Sequence, residues 1–191
     1  MSTHRSIMQP LPGFRSQEVA SFLAQMDDQT RRLMEGLQGA TPEELEWQPN
    51  PGMNTIGMLL AHNAIVEVFW TLVALERAEK PSGEPILGIG DDDDGMPLPE
   101  DGKPPAVLGG KDLAFYDTLL KKARAYLKKT AAGVTDADLE KEITRTRPDG
   151  TQRVLNVRWY FYHILEHYSG HFGQVLLLRH LYQASRVPTK A

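Results

Sequence analysis

The segment 160–174, Tyr-Phe-Tyr-His-Ile-Leu-Glu-His-Tyr-Ser-Gly-His-Phe-Gly-Gln, sets His163, His167 and His171 four residues apart among apolar side chains. On an α-helix four residues advance about 400° and rise about 6 Å, so each adjacent pair stacks on one face, close enough to share an ion. The outer two lie roughly 12 Å apart along the axis, too far for both to reach a metal with bonds of about 2.0–2.1 Å. Only one adjacent pair can bind, and His167 belongs to either. The face centred on His167 also carries Val157, Tyr160, Ile164, Gln174, Val175, Leu178 and Leu181, and the opposite face carries Phe161, Leu165, Phe172 and Leu176. A helix apolar all round is covered on both sides. One side would meet a bundle core and the other a second subunit or a hairpin, which predicts a homodimer.

A third imidazole comes from an earlier helix, capped by Asn54 or Thr55 and expected to run to about residue 79. Met58, Leu59, Ile65, Val66, Phe69 and Val73 fall within about 60° of His62 on its helical wheel. His62 is thus the sole ionisable group near the centre of an apolar face. Three convergent imidazoles form the ligand set of a catalytic site with one position left open.

Around these two helices the pattern predicts an all-α chain: four long helices in a bundle, with short helices, a small β-hairpin and a long crossover loop. Residues 1–191 read as one domain. Residues 1–14, with Pro10, Pro12 and Gly13, form a lead-in strap. The first helix starts at Ser16 and ends at Gly36 or Gly39, and it offers Gln29 and Thr30 to the interior but no carboxylate. Thr41-Pro42-Glu43-Glu44 reads as a capping box. Residues 80–110 contain six prolines, seven glycines and the run Asp91, Asp92, Asp93, Asp94, which marks a loop: a solvated connection or a lid. The acids do not fit an EF-hand, because Gly95 at the sixth position would put Gly90 first and Asp101 last. A third helix spans about 111–132 with a basic outer face. A short capped helix begins at Thr135, a hairpin over 142–154 turns at Arg147-Pro148-Asp149-Gly150, and Asn156 caps the last helix, which ends near residue 184.

With a net charge of −4 and no basic stripe, nucleic acid is not an expected partner. No signal-peptide core stands at the start and no stretch nears about 20 apolar residues, so no membrane is expected and the cytoplasm is the default location. The chain has no cysteine, which removes disulfides, thiolate metal sites and a cysteine nucleophile together.

The run Leu45-Glu46-Trp47-Gln48-Pro49-Asn50-Pro51-Gly52-Met53-Asn54-Thr55-Ile56-Gly57-Met58-Leu59-Leu60-Ala61-His62, followed far downstream by His167, His171 and Gln174, resembles the DinB/YfiT-like metalloenzymes over about residues 15–184. That resemblance implies a bundle whose single divalent ion, usually nickel or zinc, is held by one histidine of the second long helix and two of the last. His62, His167 and His171 match those positions. His163 is then a packing residue or a support behind the ligands. Gln174, about 20° from His167 on the wheel, is placed to orient a ligand or a water.

The same resemblance implies thiol-dependent chemistry, because the family includes transferases and isomerases using a low-molecular-weight thiol. Lacking cysteine, this chain would take such a thiol from outside, with Arg153, Arg158 and Arg179 as candidate cations for its pocket. The leading expectation is a metal-dependent thiol S-transferase acting on a small molecule. A metal-dependent hydrolase is second; it needs a base, and neither Glu67, about 140° from His62, nor Glu166, about 100° from His167, aims at the ion. A non-catalytic metal-binding dimer serving a stress response is third.

Overall fold

The computed structural model describes residues 5–146 and 149–186. Its elements in chain order are α1 (Gln17–Gly36), α2 (Pro42–Glu46), α3 (Ile56–Ala74), α4 (Glu84–Leu87), a 3₁₀ turn (Ala106–Leu108), α5 (Leu113–Ala131), α6 (Asp136–Leu139), β1 (Glu142–Thr146), β2 (Gln152–Asn156) and α7 (Val157–Ser185). The four long helices form a ring in which α3 touches α5 and α7, and α1 touches the same two from the other side. The chain is all-α apart from the antiparallel hairpin β1–β2.

The helix starts follow from their caps. The side chains of Ser16, Thr55, Asp112 and Asn156 accept from the backbone N–H groups of Val19, Met58, Phe115 and Trp159, satisfying donors that have no partner within the helix. At α2 only half of the expected capping box forms: Thr41 accepts from Glu44 N, while the Glu44 carboxylate turns to Arg179 at 3.4 Å. The reciprocal box is found at α6, between Thr135 and Asp138.

α3 stops at Ala74, short of residue 79. The terminus is made by Arg77 in the left-handed region, φ 57°, with Ala78 N donating to Leu72 O. That conformation normally goes to glycine. With arginine there, the apolar pattern ran on with no stop signal. α3 has the length and apolarity of a membrane span, yet 83% of that stretch is buried inside the bundle.

The side of α7 assigned above to a second subunit or the hairpin is covered by α1 of the same chain. Phe161 stacks on Phe22 at 6.1 Å, Arg32 lies over the Phe172 ring, and Leu176 packs where a Cβ on Gly36 would meet it at 3.1 Å. That face therefore gives no argument for a dimer. Among the described residues of α7, the exposed large apolar side chains are Tyr162, Leu177 and Leu181.

Besides its basic outer face, α5 carries one cation inward, Arg124. It is 7% exposed, donates to both carboxylate oxygens of Glu67 on α3 at 2.7 and 3.0 Å, and reaches Asp27 of α1 at 2.9 Å. Thr30 does face inward, but its neighbour is Arg124. In the hairpin, Ile143 opposes Leu155 and Arg145 opposes Arg153. The Ile143–Leu155 pair is buried against the bundle. Arg147 and Pro148 of the expected turn lie outside the described residues; Gly150 is left-handed at φ 82°.

Residues 80–110 are not a solvated connection. Leu87, Ile89 and Leu108 enter the core shared by α3 and α5, and Asp94 is 3% exposed.

Candidate metal centre

α3 and α7 pack side by side, and their facing surfaces bring three imidazoles together. His62 Nε2 lies 3.1 Å from His167 Nε2, and His171 Nε2 lies 3.2 Å from the same atom. One nitrogen from each ring falls within 4.8 Å of the others, a group able to hold a metal ion. His163 is outside it. It stacks on Trp159 with centroids 4.5 Å apart, meets Trp70 edge-on and has Glu166 at 3.3 Å.

The far side of each ring determines where its proton sits. His62 Nδ1 is 2.7 Å from Asp94 Oδ2, and an ionised carboxylate only accepts, so His62 carries its proton on Nδ1. His171 Nδ1 is 2.7 Å from Gln174 Oε1, again an acceptor. In its neutral form each of these two rings thus turns an unprotonated Nε2 toward His167, whose own Nε2 can donate to only one of them. At least two lone pairs converge on one point, and three do when the proton of His167 sits on its Nδ1. For an ion bonded at about 2.0–2.1 Å in tetrahedral geometry, ligand nitrogens stand about 3.3–3.4 Å apart. The observed 3.1 and 3.2 Å match that spacing closely.

Electrostatics point the same way. Burial, with the charges of His171, His62 and His163 adding to it, pulls the His167 imidazolium down to about 3. Burial also lowers His171, with His62 adding and Gln174 opposing. Both rings are therefore neutral at pH 7, the state a metal needs.

Asp94 was missed in the sequence. It comes from the loop, where no periodicity fixes a side chain's direction, and the four-aspartate run was the only mark it left. Its Oδ1 accepts from Met96 N while its Oδ2 holds His62, the carboxylate–histidine arrangement that orients metal ligands and raises their basicity. Glu67 serves Arg124 and Glu166 lies against His163, so neither of these carboxylates is aimed at the cluster, as their wheel positions predict. Arg158 is held by Glu18 and Glu140, and Arg179 by Glu44 and the Gly36 and Gln38 carbonyls. Of the three candidate cations only Arg153 is unpaired among the described residues.

Asp94→Asn should lower metal affinity about 10–100-fold, the usual effect of losing such an outer partner. Competition with a chelator measures it, and an unchanged affinity would remove Asp94 from this role.

The fold and the cluster together define a helical bundle with a three-histidine site on two facing helices. A family model of the DinB superfamily matches residues 23–175, a span that includes His62, His167, His171 and Gln174, and the chain belongs to that superfamily. No curated protein matches it.

Proposed function

We propose that this chain is a metal-dependent enzyme in which His62, His167 and His171 hold one divalent ion, zinc or nickel, and that it transfers a low-molecular-weight thiol to a small electrophile. The observation that carries the reading is the pairing of three converging nitrogens with the absence, among the described residues, of a free carboxylate facing them. Three imidazole ligands leave room for an exogenous group, and 20% of the His62 side chain stays exposed, so a small molecule has access. When bound, such an ion supplies the Lewis acidity that keeps a coordinated thiol ionised near neutral pH.

The chain's own residues do the rest. Asp94 and Gln174 hold two imidazoles in the tautomer that binds. The apolar side chains around His62 limit access of water. The thiol sulfur forms a bond to the electrophilic carbon, the leaving group departs with its electron pair, and the thiol proton goes to solvent. A hydrolase would need a base for water, and Asp94, with both oxygens engaged, is not free to act as one. Use of a reduced thiol pool suits the cytoplasm.

A mass-spectrometric screen for thiol conjugates of electrophiles, with and without added metal, tests the reaction. Metal-dependent conjugates are expected. Metal-dependent ester or amide cleavage without thiol would replace the transferase with a hydrolase, and no product with metal bound would leave a binding protein.

A further inference from the structure

The hairpin lays two arginines across an aromatic shelf next to the histidine cluster. Arg145 and Arg153 are direct cross-strand partners, two residues nearer the turn than the buried Ile143–Leu155 pair and on the same face. The Arg145 guanidinium lies 5.0 and 5.2 Å from the centroids of Phe69 and Trp70, and that of Arg153 lies 4.3 Å from Trp159. Trp70 and Trp159 are 5.8 Å apart. His163 stacks on Trp159, and its ring centre is 5.8 Å from that of His167. A continuous run of rings thus joins the two cations to the proposed ligands. Trp159 and His167 are eight residues apart on α7, about 12 Å along its axis.

Like charges directly opposite on paired strands repel each other. Arg124, Arg158 and Arg179 each have a carboxylate partner: Glu67 for Arg124, Glu18 and Glu140 for Arg158, Glu44 for Arg179. Among the described residues, no carboxylate and no hydrogen-bond acceptor reaches Arg145 or Arg153. Each guanidinium centre lies over aromatic rings, and its five N–H donors have no protein partner among the described residues. Those donors form the planar fork that a carboxylate matches with two oxygens. A hollow of about 490 Å³ opens along β1 beside Arg145, bordered also by Arg77, Glu79 and Glu142, so a ligand has room on that side.

We propose that Arg145 and Arg153 anchor the carboxylate-bearing end of the small molecule whose other end reaches His62, His167 and His171. The ligand class is therefore an elongated carboxylate, its acid group separated from the metal-reaching group by the length of the aromatic shelf. The assignment rests on the reading of the histidine cluster as a metal centre, but the anchor itself binds without an ion.

Titration with succinate, followed by tryptophan fluorescence, reads the anchor directly, because Trp70 and Trp159 lie beneath the guanidiniums. The wild-type protein should give a saturable change. Arg145→Gln with Arg153→Gln should weaken it at least about tenfold, as expected for lost charge-assisted pairs, and His167→Ala should leave it intact. Arg153→Gln alone, at an exposed position, should weaken binding in the same direction if the double variant does not fold. Equal succinate affinity in these variants, or a response to inorganic phosphate with none to succinate, would overturn the proposal. A cobalt-loaded protein tests the link to the site. Mercaptoundecanoate should bind about tenfold tighter than its alcohol, mercaptoundecanol, and the double variant should abolish the difference; equal binding of the two by the wild-type protein would overturn the link. Succinate binding by a protein that takes up no metal would leave the anchor standing and the metal centre fallen.

Discussion

His167→Ala is expected to take the bound transition metal from about one equivalent per chain to essentially none. His167 is the shared member of the cluster: its Nε2 is the atom that both His62 and His171 approach, at 3.1 and 3.2 Å. Without it the remaining two nitrogens have no third ligand, and loss of a ligand costs more than the roughly 10–100-fold lost with an outer partner. Elemental analysis of purified protein gives the stoichiometry. His163→Ala, by contrast, should keep the metal, because that ring packs on Trp159 and Trp70 outside the group. Metal retained in the first variant, or lost in the second, would mean that the wrong histidines have been assigned.

The same residue sets a pH dependence in the metal-free protein. Unfolded, His167 takes up a proton near about 6.5; folded, burial and the neighbouring charges delay this to about 3. The unfolded state therefore binds more protons between those values, and stability falls as pH drops from about 6.5 toward 3, while above about 6.5 this group imposes no penalty. Metal-free His167→Ala should show a shallower decline over that window in urea melts at successive pH values.

The parts of this molecule that could be read from the sequence are those that repeat. Helical spacing opened α1 at Ser16, and the cap at Asn156 marked where α7 begins. The histidine pair on α7 was legible for the same reason, since four-residue spacing is itself a geometric statement. Asp94 was not, because a proline- and glycine-rich loop has no period, and its direction is decided by the core residues Leu87, Ile89 and Leu108 that tie the loop down. The end of α3 was hidden by Arg77 standing where glycine usually signals a stop. The covering of α7 by α1 was also beyond reach: periodicity shows that a face is apolar and leaves open which element covers it.

Arg124 sits among Lys121, Lys122, Lys128 and Lys129, and so reads as one more surface cation, although its spacing from Leu120 and Leu127 puts it on the inner face of α5. Its burial leads to the largest stability effect expected here. Glu67 is 2% exposed, and Arg124 is the cation that neutralises it, through two hydrogen bonds. Arg124→Met would leave that carboxylate buried and unpaired, a cost of about 3–5 kcal/mol. For a chain of this size the melting temperature should drop by roughly 6–20 °C. Asp27 loses less, because it is one-third exposed and keeps Lys128 at 2.6 Å. The cost arises from the stranded charge more than from the strength of the pair, so removing the charge should reverse it. Adding Glu67→Leu to Arg124→Met is expected to restore most of the stability, since a buried ion pair replaced by apolar side chains of similar size is often neutral or better. Denaturant melts of the two single variants and the double complete the cycle. If the double variant is as unstable as the sum of the singles, the two residues are not coupled and the pair does not tie α3 to α5.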